Sequence, residues 1–206
     1  LAWRWREQDA ARTALAWGLA LSTAYLGWSL GAKALVDRQA ERTLAGMGLQ
    51  DAPRFSVPMP FNTLLWRVVV MTPDGVLEGE RSLVADSGPM TFRKQSSDAQ
   101  SLARVAGYPA VDRLLWFNRG FMKAEVRERR LVLSDLRMGA EPDYTFRFVV
   151  AEREGLGWRE IPPKQVAWPW EASRRLAQMW QRIWTMPADQ AASQSPGETP
   201  ATSASK

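Results

Sequence analysis

Residues 13–32, TALAWGLALSTAYLGWSLGA, run for twenty positions without a charged side chain. No other stretch constrains the fold as strongly. At 1.5 Å per residue a helix of that length covers about 30 Å, one hydrocarbon thickness. Arg12 and Lys33 bracket the run, and Trp3, Trp5 and Trp28 lie near its ends, where indole rings favour a headgroup boundary. A cleavable signal peptide ending at Ala32-Lys33-Ala34 would have a shorter apolar region. A buried helix of a water-soluble domain would show a polar face. The run therefore predicts a transmembrane helix over residues 13–32, preceded by a juxtamembrane segment at 1–12. Ala16, Ala20, Ala24, Gly27 and Gly31 fall on one helical stripe, a surface on which other transmembrane helices could approach closely. Basic residues are balanced across the run, so charge alone leaves its orientation open.

The remaining residues predict an α+β domain with an antiparallel sheet flanked by helices. A helix leaving the membrane is expected over 33–52, then a globular domain over 53–186 and a disordered tail over 187–206, where Ala, Ser, Thr, Pro and Gln dominate. Residues 63–71 are apolar at both parities, as in a strand covered on both faces. Thr72-Pro73-Asp74-Gly75 suits a type I turn, so residues 76–84 should return as its antiparallel partner. A short helix should open at Ser97-Asp98-Ala99-Gln100 and another at Pro109. Residues 121–126 and 131–137 predict a second hairpin across an arginine-rich tip, and residues 144–151 a strand with Tyr144, Phe146, Phe148 and Val150 inward and Arg147 outward. Pro169 should start a last helix on which Leu176, Met179, Trp180, Ile183 and Trp184 form one stripe, to pack on the sheet or lie in a membrane interface.

Composition removes much chemistry. With no His and no Cys, the chain holds no imidazole relay, no thiol nucleophile and no zinc site of the usual ligands. The net charge of +5 comes mainly from 22 arginines among the 27 Lys and Arg. They are dispersed rather than clustered, which argues against a nucleic-acid partner. The carboxylate pairs Glu78/Glu80 and Glu152/Glu154 fit solvated edge charges. Asp135 and Arg137 share parity with Leu131 and Leu133, so they place an acid and a guanidinium on an apolar face, as a structural ion pair or a substrate-facing one. Asn62, between a proline pair and an apolar run, should tie down the loop backbone.

The block Pro58-Met59-Pro60-Phe61-Asn62-Thr63-Leu64-Leu65-Trp66-Arg67 resembles the PxPFNxLLWR signature of a bacterial inner-membrane family labelled metal-dependent hydrolases, the YdjM-like proteins. Later blocks extend the likeness: Phe117 to Phe121, Ser134-Asp135-Leu136-Arg137-Met138-Gly139, and Pro142-Asp143-Tyr144-Thr145-Phe146-Arg147-Phe148. The resemblance covers roughly residues 10–170 and makes Asn62, Trp66, Arg67, Asp135, Arg137 and Arg147 the family-signature candidates.

In that family a multi-span N-terminal region carries the metal-binding His and Asp residues. The resemblance thus implies the C-terminal fragment of a membrane-bound hydrolase, consistent with a chain that starts at Leu1. It implies no cofactor in this chain and a divalent metal in the full-length protein. The expected partners are the lipid bilayer and the other spans, with the domain on the outer side of the bacterial inner membrane. The alternative is a non-catalytic, membrane-anchored module that contacts lipid or protein in the cell envelope.

Overall fold

The computed structural model describes residues 9–167 and 172–187. Its first element is one continuous helix, α1 (Asp9–Gly46), 38 residues long and so about 57 Å from end to end. Among the described residues no helix is long and apolar enough to cross a membrane, which overturns the transmembrane helix expected at 13–32. Length is not what is lacking. Three glycines, two serines, two threonines, Tyr25 and two indoles dilute the leucines, and burying their polar groups offsets much of the gain from the apolar side chains.

The C-terminal half of α1 does not stand clear of the domain as a helix leaving a membrane would. Ala32, Val36, Ala40 and Leu44, spaced four apart, are buried against a sheet with Trp66, Val68, Val70, Leu77 and Met90. Polar contacts pin the same half. Lys33 Nζ reaches Asp37 at 2.8 Å and Ser56 Oγ at 2.7 Å. The Trp28 indole N–H donates to Thr63 Oγ1 at 3.1 Å.

That sheet has four antiparallel strands in the order β1 (Arg54–Pro58), β2 (Leu65–Thr72), β3 (Gly75–Ser82) and β4 (Arg93–Ser96). β2 and β3 form the expected hairpin, with Thr72 opposite Gly75 across the two-residue turn. Both faces of β2 are covered, which explains why its apolar residues occupy both parities. Trp66, Val68 and Val70 meet α1, and Val69 meets Val76, Leu136 and Tyr144 on the other side. Gly79 is required by packing, because a Cβ there would come within 2.6 Å of the Thr91 carbonyl oxygen.

Two short helices follow, α2 (Ala99–Arg104) and α3 (Pro109–Asn118). The α2 cap is Asp98, whose carboxylate accepts from the Ser101 N–H at 2.7 Å. A second antiparallel sheet comprises β5 (Met122–Arg127), β6 (Arg130–Asp135), β9 (Arg147–Glu154) and β10 (Gly157–Gln165), in the order β10-β9-β6-β5. Between β6 and β9 lies a small ladder, β7 (Gly139–Ala140) with β8 (Asp143–Tyr144). The α+β class thus stands with two sheets rather than one. Leu131, Leu133, Met122, Val150 and Trp158 pack with Val105 and Val111 from the α2–α3 region.

The strand expected at 144–151 is interrupted. Tyr144 belongs to β8 and sits in the cluster between the sheets, whereas Val150 faces the α2–α3 cluster. Arg147 is buried rather than outward. The last helix, α4 (Ala172–Trp184), lies on the first sheet: Ile183 is fully buried and its carbonyl accepts from Ser82 Oγ at 2.6 Å. Arg182 clamps it there through Asp86, at 2.6 and 2.8 Å. The proposed helix start at Pro169, residues 1–8 of the juxtamembrane stretch and all of the tail beyond Pro187 fall outside the described residues.

Candidate functional site

The loop before β2 is built around one side chain. Asn62 Nδ2 donates to the carbonyls of Met59 and Pro60 at 3.3 and 3.1 Å, and its Oδ1 accepts the N–H groups of Leu64 and Leu65 at 3.0 and 2.7 Å. A side-chain amide used this way substitutes for a backbone turn. It holds Pro58-Met59-Pro60 as a rigid lip and lets Phe61 take a positive φ of 61°. Trp66, the next candidate, points to α1 and donates its indole N–H to the Thr63 carbonyl at 2.9 Å. Its role is to fix the start of β2 under the helix.

Arg67 alternates to the opposite face, between the two sheets, and is only 2% exposed. Its Nε pairs with the Glu78 carboxylate, and its Nη1 donates to the Leu136 carbonyl at 2.8 Å. Glu78 also accepts from Gln95 Nε2 at 2.8 Å. The Tyr144 hydroxyl lies 3.1 Å from Glu78 Oε2 and 3.2 Å from Gln95 Oε1. Burial, and then the adjacent Glu78 charge, push the Tyr144 phenol well above its ordinary pKa, so it stays a neutral donor. Glu78 is therefore not the solvated edge charge expected of it. Glu80, on the same face, is held above its ordinary pKa mainly by burial, with Arg182 3.5 Å away opposing the shift. Glu152 does behave as a surface charge, paired with Arg130 and Arg159.

A cavity of about 400 Å³ opens beside this network. The Pro58–Pro60 lip forms one side, Arg137 to Ala140 with Thr145 another, and Arg175, Leu176 and Met179 of α4 the third, with Arg67 in the wall. Three segments far apart in sequence therefore meet at one cleft. Among the described residues the wall carries three arginines and no acid, and the rest of it is largely apolar.

Arg137 also lines a neighbouring cavity of about 570 Å³, with Arg54, Phe55, Arg119, Phe121, Asp135 and Phe146 among its walls. Asp135 and Arg137 do touch, but through the backbone: Asp135 Oδ1 accepts the Arg137 N–H at 2.8 Å, while the Arg137 guanidinium donates to the Phe117 carbonyl at 3.0 Å. Burial holds the Asp135 carboxyl above its ordinary range, against the backbone N–H and the charge of Arg137. Arg147 lies elsewhere. Its Nη2 donates to the Ala167 carbonyl at 3.2 Å, tying down the chain after β10.

Of the six candidates, then, Arg67 and Arg137 line the cleft, Asn62 shapes its lip, and Trp66, Asp135 and Arg147 serve its surroundings. Glu78, Gln95, Tyr144, Arg175 and Met179 were not among them. Among the described residues no group of three or more His, Cys, Asp or Glu side chains is placed to hold a metal ion. Comparison with protein-family models, with curated proteins and with solved structures finds no match to this chain.

Proposed function

We propose that this is an accessory domain of a membrane-bound, metal-dependent hydrolase of the YdjM-like kind, with the metal held by other segments of that protein and the domain on the outer side of the bacterial inner membrane. One observation supports it most. In the N-terminal half of α1, Leu15, Trp17, Leu19, Leu21, Tyr25 and Leu26 are each 57–70% exposed. They surround the helix rather than forming a stripe. An apolar surface of that extent marks a site covered by something else in the working protein, and other segments of the same protein are the occupant this reading assigns.

Dialysis of this chain against Zn²⁺ and Mn²⁺ followed by elemental analysis tests the division of labour. The expected result is no stoichiometric metal on this chain and metal on the full-length protein; stoichiometric metal here contradicts it.

A second reading, a lipid-contacting envelope module, draws on α4. Ile183 faces the sheet, but Trp180 and Trp184 stack edge to face at 5.9 Å and remain 60% and 53% exposed. Exposed indoles beside arginines suit a headgroup boundary. Flotation with anionic liposomes that is lost in Trp180→Ala/Trp184→Ala favours this reading, and no flotation of the wild-type chain removes it.

A further inference from the structure

We propose that the cavity between α3 and the second sheet binds a small organic amine, with Asp135 holding the ammonium group and aromatic rings holding the apolar body. The proposal goes beyond the accessory role and concerns a part of the domain which that role does not use. Its first support is an unpartnered carboxylate oxygen. Asp135 is only 6% exposed, and its Oδ1 accepts the Arg137 N–H at 2.8 Å. Among the described residues its Oδ2 takes no hydrogen bond, yet it is not sealed into the protein. A carboxylate oxygen held in such surroundings without a donor is destabilising and calls for an explanation. Arg137 does not supply the donor, because its guanidinium turns to the Phe117 carbonyl at 3.0 Å. Burial also holds this carboxyl above its ordinary range, so the ionised form lacks a partner that a bound cation supplies.

The second support is the place of that carboxylate. Asp135 stands at the junction of two cavities, the one of about 570 Å³ beside Arg137 and another of about 350 Å³ against α3. Phe117 and Phe146 line both as well. A group bound at the junction therefore meets the carboxylate and two rings together. The smaller cavity is further walled by Trp116, Met122, Leu133 and Phe148, and apart from Asp135, Arg113 and Asn118 its lining is apolar. Trp116 and Phe117 are left 80% and 60% exposed there, and the volume falls within the range of small-molecule sites. A protonated amine suits these walls. Its ammonium donates a charge-assisted hydrogen bond to a carboxylate and is drawn to aromatic faces, while its carbon body covers the exposed rings. An anion of the same shape would meet the Asp135 charge with one of its own sign, and a neutral molecule would leave that charge unpaired.

Calorimetric titration of the whole chain at pH 7 with 2-phenylethylamine, which is protonated there, tests the proposal. The comparison ligands 2-phenylethanol and 3-phenylpropionate carry the same kind of apolar body with no charge and with the opposite charge. The amine is expected to bind at least tenfold more tightly than either. Asp135→Asn, which keeps an acceptor for the Arg137 N–H, should bring the amine within twofold of the alcohol. Phe117→Ala, at a side chain that already stands largely in solvent, should weaken the amine at least threefold. Asp74→Asn removes an exposed carboxylate on the β2–β3 turn and should change amine binding less than twofold. Absence of amine binding, equal or tighter binding of the alcohol or of 3-phenylpropionate, or an amine preference that survives Asp135→Asn overturns the proposal.

Discussion

Arg67 and Glu78 face each other diagonally across the β2–β3 hairpin, and their ion pair lies between the two sheets rather than at the surface. Removing one member of a buried pair leaves the other charge uncompensated, which costs about 3–5 kcal/mol. Arg67→Leu and Glu78→Leu should each lower stability by about that amount in urea unfolding. The double variant should lose clearly less than the sum, because neither charge is then stranded. Additive losses would show that the two side chains act independently.

Tyr144 supplies a neutral donor to the same network. Tyr144→Phe keeps the ring under the Arg67 guanidinium, 5.7 Å from its centroid, and removes only the hydroxyl. The expected loss is about 1.5–3 kcal/mol, the cost of a hydrogen bond to a charged group, measured as a shift of the urea midpoint.

Asn62 makes four hydrogen bonds within its own loop, two given and two received. Asn62→Ala should cost about 1–3 kcal/mol, mostly through backbone groups left without partners. It should also raise amide exchange at Leu64 and Leu65, whose N–H groups it accepts. Unchanged exchange there would remove Asn62 as the brace of the lip.

The two halves of α1 should respond differently to truncation. Leu44 is fully buried against β2 and β3, so Leu44→Ala should cost about 2–5 kcal/mol. Leu21 is 67% exposed, and Leu21→Ala in this chain should change stability by less than about 0.5 kcal/mol. Comparable losses at both positions would mean that the N-terminal half also packs on the domain.

Asp135 carries a pH signature. Its carboxyl is raised above the ordinary value of 3.8 mainly by burial, so over the interval above that value the folded state holds more protons than the unfolded one. Stability contributed by this group is full below the interval and falls as pH rises through it. Asp135→Asn keeps an acceptor for the Arg137 N–H and removes the buried charge. Its thermal midpoint should match the wild type at pH 3 and exceed it at pH 7. A variant less stable at pH 7 would show that the ionised form is the one the fold favours.

Much of this arrangement was legible from local pattern. The turn at Pro73-Asp74 sets the register of β2 and β3, and that register alone places Arg67 opposite Glu80 and diagonal to Glu78. From sequence Glu78 reads as a solvated edge charge, because nothing near it in sequence reveals a second sheet above that face. Tyr144 was grouped with Phe146 and Phe148 by alternation, but the turn after β8 breaks the alternation and turns it to the other core. Arg147 was expected outward for the same reason. The uncharged run at 13–32 shows that a helix forms there, and α1 does include it. Charge-free length is a weaker property than apolarity, however, and Ala32 at its end already belongs to the core over the first sheet. The cleft joins residues up to 122 positions apart, from Val57 to Met179, and no local pattern reports α4 folding back onto the loop before β2.

The covered state of α1 can be measured most directly with a single thiol, since the chain has no cysteine of its own. Leu19→Cys is compared for maleimide labelling in the isolated chain and in membranes carrying the full-length protein. Fast labelling of the isolated chain and protection of at least tenfold in the full-length protein is the result predicted for an accessory domain docked through α1. Equal labelling in both would contradict it.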